Sequence, residues 1–270
     1  MSRNVKIALG QMAVELGNVE DNIRTAERMI EQAAEAGADL ILLPELCFTG
    51  YNLDILGQDT CGLSEKFALP IHAALSGSAR RGGLYVLAGL GIKKGGELFN
   101  AALLYDRSGA IAGEYHKTFL FGREGEFFAR GSGSSVFVTD FGRVGVLICY
   151  DIGFPEMVRL LSLDGAELLT VLAAWRYQDE MAWDLNVRSR ALENQLFTVA
   201  VNQAARYDNL RLFGGSMAVG PDGQTIIKME NDRGALGVCD IDLEQAENLR
   251  KFPGYYQDFS KSGIRLSWRT

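Results

Sequence analysis

Apolar and polar residues fall into blocks along the chain, and the length and period of each block separate two kinds of element. Short apolar runs bounded by glycine, proline or charged residues predict strands over 6–14, 39–43, 85–91, 100–105, 111–115, 136–139 and 144–149. The same pattern predicts strands over 167–171, 196–202, 216–220, 225–228 and 236–240. Over 18–36, Val19, Ile23, Ala26, Met29, Ile30 and Ala33 recur at three-to-four spacing, the apolar stripe of a helix packed on one side. Further helices are predicted over 64–79, 154–163, 179–193 and 243–249. Strands alternating with helices predict an α/β fold with helices packed outside sheets. Periodicity carries the fold no further.

Composition changes the picture by exclusion. A chain of 270 residues with 47% hydrophobic content can fill a sizeable core. Because α/β domains often exceed ~200 residues, a single domain over 1–270 is expected. No apolar run approaches the ~20 residues of a membrane span. The start, Met-Ser-Arg-Asn-Val-Lys-Ile-Ala-Leu-Gly, lacks a signal peptide's apolar segment. A net charge of −7 argues against nucleic acid or anionic membranes as partners. Cys47, Cys61, Cys149 and Cys239 show neither CxxC spacing nor a disulfide framework, so a cytoplasmic location is expected. Two histidines and scattered acids make no recognisable metal site, and the glycines near Gly89 fit no dinucleotide fingerprint. No cofactor and no metal are expected. The stretch 252–270 holds Phe252, Tyr255, Tyr256, Phe259 and Trp268 without clear period, and is read as a tail packing along its own domain or across a subunit interface.

Candidate chemistry centres on Cys149. The run Val-Gly-Val-Leu-Ile-Cys leads into Tyr-Asp-Ile-Gly-Phe-Pro-Glu, where Gly153 permits a turn and Pro155 suits the first turn of a helix. A thiol at such a junction would feel the helix's N-terminal partial charge, which favours thiolate. A free cysteine is more commonly a small buried hydrophobe, so position alone leaves both readings open. His72 and His116 are the only histidines, and neither sits in a promising context. A catalytic Cys149 would therefore pass its proton to a carboxylate, and Glu45 is the candidate. It ends Ala-Asp-Leu-Ile-Leu-Leu-Pro-Glu, again an apolar strand with a reactive group at its carboxyl end, where α/β folds bind ligands. Cys47, two residues further on, is read as core filling.

Three segments, Leu-Leu-Pro-Glu (42–45), Tyr-His-Lys-Thr-Phe-Leu-Phe-Gly (115–122) and Ile-Cys-Tyr-Asp-Ile-Gly-Phe-Pro-Glu (148–156), resemble in order and spacing the motifs of the nitrilase superfamily of carbon–nitrogen hydrolases. The resemblance implies a four-layer α-β-β-α sandwich, commonly assembled as a homodimer or larger homo-oligomer. It also implies a triad: Glu45 the general base, Lys117 the transition-state stabiliser and Cys149 the nucleophile, with the backbone N–H of Tyr150 a second oxyanion donor. Many members carry a second glutamate seven residues before a glycine. Counting back from Gly131 selects Glu124, with Glu126 as competitor, because the proline expected before that glycine is Arg130 here. Where many members have arginine after the nucleophile, this chain has Gly153.

The expected activity is amide hydrolysis through a Cys149 thioester, releasing ammonia from a small-molecule amide. A nitrilase or an N-carbamoyl amide hydrolase would use the same triad, and a non-catalytic assembly protein is the reading from another class. Trp175, in the segment after the strand that follows Cys149, and Tyr51 are candidate pocket residues, with Phe121 and Phe154 as further apolar walls. A small aromatic-lined pocket with few basic groups suggests a short aliphatic or ω-carboxamide substrate.

Overall fold

Strands buried on both faces explain why so many of the predicted runs are continuously apolar rather than alternating. The computed structural model describes residues 3–133, 135–230, 232–251 and 254–264. Its first half runs β1 (Asn4–Gln11), α1 (Val19–Glu35), β2 (Leu40–Leu43), α2 (Leu53–Leu56), α3 (Asp59–Lys66), α4 (Ala68–Gly82), β3 (Tyr85–Lys94), β4 (Glu97–Tyr105) and β5 (Ile111–His116). The second runs β6 (Val136–Val138), β7 (Arg143–Ile148), α5 (Pro155–Leu163), β8 (Leu168–Ala173), α6 (Glu180–Asn194) and β9 (Phe197–Asn202). It continues with β10 (Ala204–Tyr207), β11 (Leu210–Phe213), β12 (Met217–Val219), β13 (Thr225–Lys228), β14 (Ala235–Asp242), α7 (Leu243–Lys251) and α8 (Tyr255–Lys261).

Two six-stranded sheets result, ordered β14-β1-β2-β3-β4-β5 and β13-β12-β9-β8-β7-β6. In each, three neighbouring strands are parallel, β1-β2-β3 and β7-β8-β9, and the outer strands pair antiparallel. Parallel neighbours need a crossover, and the helices supply it on the outside of each sheet. Ile41, Leu43, Val86 and Ala88 pack with Met29, Ile30, Ala33, Ile71 and Leu75 of α1 and α4. Leu40, Leu42 and Leu87 face the other way, into a core that continues through β7, β8 and β9 to α5 and α6. The architecture is the expected α/β four-layer α-β-β-α sandwich.

The chemistry of particular residues moves several boundaries. The helix expected over 64–79 divides at Phe67, because Pro70 has no N–H with which to continue the ladder back to Lys66. Gly95 and Gly96, at φ +60° and +89°, close the β3–β4 hairpin in a turn that requires positive φ at both positions. The β10–β11 hairpin was not expected from the pattern. In the tail, Tyr256 and Phe259 lie under the guanidinium groups of Arg250 and Arg159 of the same chain. Phe252 and Trp268 lie outside the described residues. Among the described residues no helix is long and apolar enough to cross a membrane.

Candidate active site

β7 delivers Cys149 to the carboxyl end of the second sheet, and the chain turns there abruptly. Cys149 has φ +48°, a conformation costing a side-chain-bearing residue roughly 1–2 kcal/mol. A 3₁₀ turn, Cys149–Gly153, separates the strand from α5, which begins at Pro155 as expected. Asp151 secures the turn. Its buried carboxylate accepts from the backbone N–H groups of Phe119 (2.8 Å) and Ile148 (3.1 Å) and from the Tyr115 hydroxyl (2.8 Å). Burial pushes the Asp151 carboxyl up to about 6, against the opposing charge of Lys117. The turn that carries the thiol is thereby fastened to the segment that carries the lysine.

The interposed turn corrects one expectation. Burial pushes the Cys149 thiol well above its ordinary range, the Glu45 charge adds to this, and Lys117 opposes it. The 3₁₀ turn also stands between Cys149 and the first turn of α5, so burial rather than a helix terminus dominates the surroundings of the sulfur.

Glu45 stands beyond the end of β2 with its carboxylate fully buried. Oε1 accepts from Lys117 Nζ and Asn100 Nδ2, each at 2.7 Å, and Oε2 accepts from the Ala174 N–H at 2.8 Å. Its carbonyl accepts from Gln203 Nε2 at 2.6 Å. Lys117, just past β5, also donates to Glu124 Oε1 at 2.7 Å. Burial alone would lower the lysine, but the charges of Glu124 and Glu45 outweigh it and hold the ammonium well above its usual range. Glu124 in turn accepts from the Tyr51 hydroxyl (2.7 Å) and the Phe121 N–H (3.0 Å). Its carboxyl is raised by burial, with Lys117 opposing and Glu45 adding.

The register of the second glutamate follows from Gly131, whose N–H donates to the Lys117 carbonyl at 2.8 Å. A Cβ at Gly131 would lie 2.1 Å from the His116 carbonyl oxygen. Held this way, the 3₁₀ turn Gly122–Glu126 turns Glu124 inward, while Glu126 is exposed and pairs with Arg123.

A cavity of about 230 Å³ opens onto Cys149. Tyr51, Phe121, Tyr150 and Trp175 line it, as does Gly153. Phe154 does not; it stacks on Phe119 behind Tyr150. Cys47 is buried in the core between the first sheet and its helices, in keeping with core filling. Sequence reasoning missed Asn100, Asp151, Gln203, the Ala174 N–H and Asp179, which lines the cavity beside its one basic residue, Arg176. Asn100 alone left a trace, as the one strongly polar residue at the head of Asn-Ala-Ala-Leu-Leu-Tyr. Among the described residues no cluster of three His, Cys, Asp or Glu side chains is arranged to hold a metal.

Residues 6–251 match the family model described as carbon-nitrogen hydrolase. The chain is 33% identical over 251 residues to a protein named nitrilase from Pyrococcus abyssi, covering 91% of this chain and 93% of that one. It is 30% identical over 254 residues to the 2-oxoglutaramate amidase of Bacillus subtilis, covering 93% and 96%. Its structure is similar, at TM-score 0.81 and 28% identity over 94% of this chain and 96% of the other, to a mutant amidase from Nesterenkonia sp. AN1 that carries acrylamide added at its active-site cysteine.

Proposed function

The chain belongs to the carbon–nitrogen hydrolase family, and from that premise we propose that it is an amidase releasing ammonia from a small amide through a thioester on Cys149. One arrangement carries the reading: the Lys117 ammonium lies 2.7 Å from each of two fully buried carboxylates, Glu45 and Glu124, close to a cysteine that opens onto a small cavity.

Glu45 takes the thiol proton as sulfur attacks the amide carbonyl carbon. With Glu45 as the base, proton transfer and attack form one coupled event. The carbonyl oxygen gains the negative charge, stabilised by the fixed Lys117 ammonium and the Tyr150 N–H. When the tetrahedral species collapses, the C–N bond breaks and nitrogen leaves as ammonia with the proton from Glu45. Water then attacks the thioester, again losing a proton to Glu45. The C–S bond breaks, the acid departs and the thiol regains its proton. Glu124 positions Lys117.

The small cavity and the amidases among the relatives favour a short amide. The similarity to the Pyrococcus abyssi nitrilase supports a second reading on the same residues. Product analysis separates the two, because a nitrile gives acid without passing through free amide, and a carbamoyl compound would also give carbon dioxide. The amidase reading includes a cytoplasmic location and assembly as a homodimer or larger homo-oligomer, the latter measured by sedimentation velocity. We expect Cys149→Ala to abolish ammonia release from small amides while leaving circular dichroism unchanged. The wild-type protein should show an acyl mass adduct on Cys149 during turnover. A variant retaining a large fraction of the rate would remove Cys149 from the mechanism.

A further inference from the structure

We propose that the amide bound at Cys149 carries both a carboxylate and an ammonium at the end remote from the scissile bond, recognised by Arg176 and Asp179. The proposal rests on the amidase reading and names its substrate class.

Arg176 and Asp179 bring opposite charges to a cavity otherwise dominated by aromatic and small apolar residues. Asp179 sits at the N-cap of α6, where an aspartate ordinarily accepts from the helix's first free N–H groups. Here its side chain makes no capping bond. Instead Oδ2 accepts from Arg176 Nε at 2.9 Å and from Nη2 at 2.5 Å. Both bonds fall on one oxygen, and among the described residues no further side-chain hydrogen bond to Oδ1 or from Arg176 Nη1 accompanies them. The pair therefore offers an unused acceptor beside an unused donor edge.

The pair is also held in place. Arg176 lies over the Phe121 ring, 4.9 Å from its centroid, and its backbone bridges to Leu212. Trp175, between Arg176 and the site, donates its N–H to Asn202 Oδ1 at 2.6 Å and its indole N–H to the Asp179 carbonyl at 2.9 Å. Asn202 is itself buried and donates back to the Trp175 carbonyl. Opposite, Gly153 leaves open space: a Cβ there would meet nothing within 4 Å.

Charge logic then selects the ligand. A simple anion entering beside Arg176 meets the Asp179 carboxylate as well, and a simple cation meets the guanidinium. An uncharged chain buries neither unused group's partner. Only a dipolar head satisfies both at once, with its carboxylate on the guanidinium and its ammonium on Oδ1. As a salt bridge the pair has little other use, since its side chains are 41% and 40% exposed and such pairs add little stability.

L-glutamine, glutaramate and pentanamide share a five-carbon chain and present a dipolar, an anionic and an uncharged end to the same scissile amide. In the wild-type enzyme kcat/KM for glutamine should exceed that for pentanamide on the order of tenfold or more, mainly through KM. Arg176→Gln should collapse that ratio, and Asp179→Asn should move the preference from glutamine to glutaramate. Equal or better hydrolysis of pentanamide by the wild type, or an unchanged order in Asp179→Asn, would overturn the proposal. Calorimetric binding of the three intact amides to Cys149→Ala measures recognition without turnover and should give the same order. Binding in that order with no thioester in the wild type would sink the amidase reading and leave the pocket assignment standing. Ammonia release with no preference among the three would do the reverse.

Discussion

A buried ammonium must recover a desolvation cost of several kcal/mol, and Lys117 does so only because two carboxylates meet it at 2.7 Å. Glu124 serves more than the lysine, since the Tyr51 hydroxyl and the Phe121 N–H also end on it. Removing it leaves buried donors unsatisfied, at about 1–3 kcal/mol each, and leaves Lys117 tethered from one side. Glu124→Ala is therefore expected to lower kcat by ~10²-fold, the scale of a misplaced reacting group, and to lower the urea midpoint. Glu126→Ala, which removes an exposed partner of Arg123, should change either quantity little. The reverse ranking in ammonia-release assays would mean that the buried position does not serve the reaction. Glu45, Lys117, Cys149 and Glu124 were legible because motif spacing picks them out, and the fold does bring them into one cluster. Asn100 and Asp151 were not, because their partners are chosen by strand register and by the path of a turn, neither of which hydropathy encodes.

Elements were legible where burial was two-sided. β2 reads as an unbroken apolar run because Leu40 and Leu42 face the other sheet while Ile41 and Leu43 face helices. The β10–β11 hairpin was missed because its stretch mixes Arg206, Tyr207, Asn209 and Arg211 among apolar residues, and only the open end of the ribbon, at Ala204, Ala205, Leu212 and Phe213, is buried. The two-sheet stacking was never in the periodicity; it came from motif resemblance alone. Close approach is equally invisible to hydropathy, and Gly131 shows its weight. A methyl group 2.1 Å from the His116 carbonyl must push the end of β5, and with it Lys117, out of place. Gly131→Ala should cost about 1–3 kcal/mol, typical of overpacking, together with most of the activity. Gly125→Ala, in the neighbouring turn with nothing within 4 Å of its Cβ, is the matched control and should leave both near wild type. Paired urea melts and rate measurements decide it, and two variants behaving alike would show that the close approach does not hold the lysine.

At the scale of the whole molecule the site exists only while both sheets are in place. Glu45 and Lys117 come from the first sheet, Cys149 and the Ala174 N–H from the second, and the Glu45–Ala174 bond joins them. Other ties run the same way. Gln11, at the end of β1, accepts from the Ser216 N–H at 2.9 Å, and the Ala204 N–H donates to the Met12 carbonyl at 2.8 Å. Gln203 reaches the Glu45 carbonyl, and Arg3 donates to the Phe141 carbonyl at 3.1 Å. The apolar core is likewise shared, so neither sheet could keep its inner face dry without the other. We therefore propose that the chain unfolds as one unit, although it is well above the ~150 residues below which such behaviour is usual. Differential scanning calorimetry should show a single peak whose calorimetric and van't Hoff enthalpies agree, lost in step with activity. Two resolved peaks, or one sheet's amides exchanging with solvent while the other's stay protected, would mean that the sheets are separate cooperative units and that the site is assembled where they dock.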